Sequence, residues 1–84
     1  MTFSLVARCP DTGMFGVAIS SSSPAVAARC SHARAGVGAV ASQNITDPTL
    51  GPKGLSLLET GVSSEMVISD ISKTTNYMDY RQLL

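Results

Sequence analysis

Hydrophobic and polar residues alternate from the first positions of the chain. Phe3, Leu5 and Ala7 fall on one side of Thr2 to Arg8, and Thr2, Ser4, Val6 and Arg8 on the other. That period of two predicts a strand. Cys9-Pro10-Asp11-Thr12-Gly13 follows. Pro presets its φ, Asp can bond nearby backbone and Gly supplies a left-handed position, so these five residues predict a turn. Met14 to Ser20 alternates again, with Phe15, Val17 and Ile19 opposed to Gly16, Ala18 and Ser20. The two runs predict a β-hairpin.

Four serines and Pro24 end the second run, since Pro24 has no N–H to give to a ladder. Ala25 to Ala35 fits a short Ala-rich helix, though Ala25-Val26-Ala27-Ala28 could equally continue as extended chain. Residues 36 to 43 predict a third strand of small residues, packed closely against another element. Asn44 to Pro52 reads as a polar loop, with Pro52 near the start of a helix that carries Leu55, Leu57 and Leu58 and stops at Gly61. Ser63 or Ser64 caps a second helix, with Glu65 in its first turn, Met66, Val67, Ile68 and Ile71 as apolar residues and Lys73 near its end. Thr74 to Met78 is a connection, and Asp79 to Leu84 predicts a last strand. The order β-β-segment-β-α-α-β gives an α+β class with an antiparallel start.

Composition narrows the functions. The chain has 84 residues, six basic and six acidic, and is 44% hydrophobic. A zero net charge gives no footprint for nucleic acid or anionic lipid. No apolar run approaches the roughly 18 residues of a membrane span. Cys9 and Cys30 are not a C-x-x-C pair and His32 is the only histidine, so neither a metal site nor a cofactor is expected. Both thiols are expected free in a reducing cytoplasm, and no secretion signal opens the chain. Gly36-x-Gly38 lacks the third glycine of a dinucleotide fingerprint. His32 has no acidic neighbour in sequence and reads as structural.

Thr2 carries the sharper chemistry. Removal of Met1 before this small residue would expose an α-amine, which titrates near 7.7–8.0 and is a usable base at neutral pH. Threonine with its own amine is a recognised nucleophile and base pair.

Resemblance strengthens that reading. Thr2-Phe3-Ser4-Leu5-Val6-Ala7-Arg8, Pro10-Asp11-Thr12-Gly13 and Gly16-Val17-Ala18-Ile19-Ser20-Ser21 resemble the opening of a bacterial family called domain of unknown function 1028. The similarity continues through Pro24-Ala25-Val26, Ala33 to Ala41, Ser42-Gln43, Gly51-Pro52-Lys53-Gly54-Leu55 and Asp79-Tyr80-Arg81-Gln82. It implies a fold similar to the N-terminal nucleophile hydrolases, a four-layer αββα sandwich of antiparallel sheets, of which this chain is the N-terminal part. The implied activity is cleavage of a carbon–nitrogen amide-type bond in a small molecule or peptide, with Thr2 as nucleophile and α-amino base. Ser20, Ser21, Ser42 and Gln43 are candidate oxyanion or substrate contacts. Arg34 is the candidate electrostatic support, Arg8 being about 20 Å away along the first strand. The glycines of the third strand would let backbone approach substrate.

Two further readings stay open. The chain can be the smaller piece of a self-cleaved hydrolase whose nucleophile lies on a companion chain, or a non-catalytic binding module. Because family members are much longer, the apolar content is expected to be covered by the remainder of the protein or a companion chain. A homo-oligomer is also expected.

Overall fold

The computed structural model describes residues 1–84. Thr2–Arg8 forms β1 and Phe15–Ser21 forms β2. They pair antiparallel, from Thr2 opposite Ser21 to Arg8 opposite Phe15. The predicted turn closes them: Gly13 takes φ +74° and donates its N–H to the Cys9 carbonyl at 2.9 Å, and Cys9 donates back to Met14 at 2.8 Å.

This register has a consequence that the separate runs do not reveal. Thr2, Ser4 and Val6 share a face with Ser21, Ile19 and Val17, while Phe3, Leu5 and Ala7 share the other with Ser20, Ala18 and Gly16. The apolar side of β1 therefore lies on the opposite face from that of β2. Phe3 and Leu5 are 67% and 64% exposed, and the inward face is the mixed one. Register sets the facing of every side chain, so the loop length between the strands decides this.

Ala25 to Ala35 turns out to be helix and then strand. Ala27–Cys30 is a single helical turn, α1, and Ser31–Arg34 is β3, a strand not expected from the pattern. Gly36, at φ +73°, and Val37 make the turn into β4, Gly38–Asn44, with Val37 donating to the Arg34 carbonyl at 3.0 Å. The expected third strand thus begins two residues late because its first residues are spent on that turn. The last strand is also shorter than expected. Met78–Tyr80 is a 3-10 turn, entered through Tyr77 at φ +63°, and β5 is Arg81–Leu83. The order in this second antiparallel sheet is β3-β4-β5.

Helix α2 spans Leu50–Glu59 and α3 spans Ser64–Thr74. Pro52 sits in the first turn of α2, where a missing N–H breaks no helical bond. Asp47 organises that end: its carboxylate accepts from the Thr49 N–H at 3.0 Å and the Thr49 hydroxyl at 2.6 Å. Gly61, at φ +92°, ends the helix and donates to the Leu58 carbonyl at 3.0 Å. Of the two candidate caps for α3, Ser63 is the one used, accepting from the Met66 N–H at 3.3 Å.

The core lies between β4 and the helices. Leu50, Val67 and Ile71 form its buried cluster, with Leu57, Leu58 and Leu83 packed around it. The small residues of β4 are explained here. A Cβ on Gly38 would stand 2.9 Å from Leu58 Cδ1, and one on Gly54 would stand 3.3 Å from Val40 Cγ2. Close approach of helix and strand, rather than access for a substrate, is what Gly38 permits. Beyond β4 on its other side lies the hairpin. The chain is thus a small mixed α and β protein with two antiparallel sheets and three helices, and no helix is long and apolar enough to cross a membrane.

Two outcomes follow from α2. A Cβ on Gly51 would make a hard clash with the His32 ring, at Cδ2 and Cγ. Gly51→Ala is expected to lower the unfolding free energy by about 1–3 kcal/mol, the range for overpacked sites, as read by denaturant titration. The Thr49 hydroxyl and amide hold the Asp47 carboxyl below the usual carboxylate range, with smaller help from Arg81 and Lys53. A depressed folded-state pKa contributes stability above the unfolded pKa that is lost as pH falls through the folded one. The stability gap between the native protein and Asp47→Asn, measured by denaturation, should therefore be present at neutral pH and close on acidification below about pH 4.

Candidate active site at the head of the first strand

Pairing of β1 with β2 brings Thr2 opposite Ser21, and their hydroxyl oxygens are 2.7 Å apart. Ser21 Oγ also accepts from the Ser23 N–H at 3.2 Å. A hydroxyl that accepts from backbone keeps its own proton available, so Ser21 can donate to Thr2 Oγ1. From the second sheet comes Gln43, at the end of β4. Its Nε2 donates to the Thr2 carbonyl at 3.3 Å and to Gln82 Oε1 at 2.6 Å. Gln43 is only 7% exposed, and its Oε1 is buried without a partner. Both amide hydrogens are therefore spent inside the protein, and the side chain holds the head of β1 against the neighbouring sheet.

Thr2 and Gln43 stand between two cavities. One, of about 220 Å³, is lined by Thr2, Ser21, Ser23, Arg29, Gln43 and Asn44 among others. The second, of about 300 Å³, is lined by Thr2, Phe3, Ser4, Gln43, Gln82, Leu83 and Leu84. Asn44 takes φ +72°, a left-handed conformation that costs a non-glycine residue free energy.

Three of the residues singled out from the sequence, Thr2, Ser21 and Gln43, meet here. Ser42 does not join them. Side chains alternate along a strand, so the neighbour of Gln43 points to the helices, where Ser42 is fully buried with its hydroxyl unpartnered. Ser20 lies on the outer face of the hairpin, opposite Phe3. Arg34 is at the wrong end of the sheet to support Thr2. It pairs with Gly38, five residues or about 17 Å along β4 from Gln43, and its guanidinium donates to Glu59 Oε2 at 3.1 Å. Arg8 lies at that far end too, opposite Phe15.

The cation that does share a cavity with Thr2 is Arg29, on α1. Pattern reading passes over it because a four-residue helix leaves no periodic signal. The available hint is its place as the single charge between Ser21 and His32. Gln82 was equally hidden, since only the β4–β5 register sets it opposite Gln43.

His32 lies against Gly51 of α2, and its Nε2 is buried without a partner. Both cysteines are free. Cys30 Sγ lies 3.4 Å from Thr46 Oγ1, while Cys9 sits in the hairpin turn, where chiefly the Thr12 hydroxyl lowers its thiol pKa. No three His, Cys, Asp or Glu side chains converge as a metal site would require.

A hydroxyl pair and a buried amide at the junction of two sheets define this as a mixed α and β protein with a polar site at its N-terminal strand. The chain belongs to the Family of unknown function (DUF1028), whose family model matches residues 2–84. No curated protein and no solved structure matches it.

Ser21→Ala removes the partner of Thr2 and of the Ser23 N–H. It should cost about 0.5–1.5 kcal/mol of stability by denaturant titration, the usual worth of a side-chain hydrogen bond.

Proposed function

We propose that the protein is an N-terminal nucleophile hydrolase that cleaves a carbon–nitrogen amide-type bond in a small molecule or peptide through Thr2. The observation that carries this reading is the 2.7 Å contact between Thr2 Oγ1 and Ser21 Oγ at the wall of a cavity. Met1 is fully exposed and so accessible to removal. Two antiparallel sheets with helices packed on one of them also support the reading, being compatible with part of an αββα sandwich.

In this mechanism the free α-amine of Thr2 takes the proton from Oγ1 as that oxygen attacks the acyl carbon. The C–N bond then breaks, the leaving amine collects the proton, and an ester on Thr2 Oγ1 remains. Water, deprotonated by the same amine, attacks that ester, the acyl–Oγ1 bond breaks, Oγ1 recovers the proton from the amine and the acid is released. The Ser21 hydroxyl, 2.7 Å from Thr2 Oγ1, is the side-chain donor assigned to the developing oxyanion in this mechanism. Gln43, with both amide hydrogens committed, is a positioning residue for the Thr2 backbone.

Intact mass of the active protein should show Met1 absent. Thr2→Ala should reduce turnover of an amide substrate panel by at least about a thousandfold, the scale of losing a covalent nucleophile, with the circular dichroism spectrum unchanged. Full activity with Met1 retained would overturn the proposal.

A further inference from the structure

The cavity beside Thr2 carries an uncompensated positive charge. Arg29 is the one charged side chain among its lining residues, and no acidic residue lines it. The single ion pair of the structure, Arg34 with Glu59, lies elsewhere. Neutral acceptors nevertheless hold the Arg29 guanidinium in place. One Nη1 donates to the Pro24 carbonyl at 2.8 Å and the Ala25 carbonyl at 3.4 Å, and Nη2 donates to Ser23 Oγ. Ala25 adopts φ +50°, an unfavourable conformation for alanine, within the turn that supplies those acceptors.

Three neutral acceptors orient a guanidinium without cancelling its charge. Of its five N–H donors, three are used, which leaves Nε and one Nη2 hydrogen free. Those two can form the planar fork that a carboxylate accepts in bidentate fashion. Around it the cavity offers hydroxyls and amides from Thr2, Ser21, Ser23 and Asn44 and no competing anion. Its volume of about 220 Å³ is below the roughly 300–1,000 Å³ of typical drug-sized sites, which favours a small ligand over a polypeptide.

We infer that Arg29 is the specificity residue of the Thr2 site and that the ligand is a small amide bearing a carboxylate, of the N-acyl amino acid class. The inference rests on the hydrolase reading of Thr2. The carboxylate seats on Arg29 and its negative charge balances the cavity. The amide carbon is then directed toward Thr2 Oγ1, which lines the same cavity.

A binding test separates this from the hydrolase reading because it needs no turnover. N-acyl amino acids, and the same compounds with the carboxylate capped as a carboxamide, are titrated calorimetrically into Thr2→Ala protein. The carboxylates should bind at least roughly tenfold more tightly, as charge-assisted hydrogen bonds give, and added salt should weaken them. In Thr2→Ala carrying Arg29→Gln that preference should fall to within about twofold, while Arg29→Lys, which keeps charge but not the fork, should retain part of it. Circular dichroism checks that both variants fold. Equal affinity for acid and carboxamide, a preference that survives Arg29→Gln, inorganic phosphate binding as tightly as the acids, or no binding of any acid at millimolar concentration would each overturn the inference. Carboxylate preference in a protein that hydrolyses none of these amides would overturn the hydrolase reading and leave the role of Arg29 standing.

Discussion

Everything in this fold depends on one strand being covered on both faces. β4 runs from Gly38 to Asn44 with helices against one side and the hairpin against the other. Apart from Gln43 its residues up to Asn44 are small, Gly, Ala, Val, Ala and Ser, so the layers on either side approach it closely. Gly38 accommodates Leu58, and Val40 meets the bare backbone of Gly54, so helix and strand approach closely. Packed interiors tolerate little change in volume, and the glycines here fill that requirement.

The candidate site is a product of the same arrangement. Gln43 projects from the hairpin side of β4 and bonds the Thr2 carbonyl, so the head of β1 is anchored by the strand that organises the core. Ser21 reaches Thr2 from within the hairpin. One side chain therefore ties the two sheets together where the proposed nucleophile sits, and the other leaves that nucleophile's hydroxyl with a polar partner. Electrostatics divide the molecule into two ends. Arg34 with Glu59, and Arg8, lie at the end away from Thr2, while Arg29 is the charged residue that lines the Thr2 cavity.

Much was legible along the chain. The hairpin follows from two alternating runs and a turn whose residues each have a mechanism, and both main helices follow from leucine spacing, Gly61 and Ser63. The matches from Thr2 to Leu84 define the family. Thr2 was identifiable from local chemistry alone, because its hydroxyl and the amine that would serve it belong to the same residue. Ser21 and Gln43 were visible as polar groups at strand ends.

Tertiary structure decided the rest. β3 was invisible because four residues that include a charged side chain and a histidine carry too short an alternation to register. Which side of the hairpin faces inward depended on the register across its turn, and that choice left Phe3 and Leu5 outside. Placement of Arg34 away from Thr2 and of Arg29 beside it depended on where β3 and α1 pack, a matter of contacts between residues distant in sequence. Sequence specifies local conformation through propensity and periodicity. A site at the meeting of two sheets is set by the pairing of strands, and pairing is energetically defined only once both partners are in place.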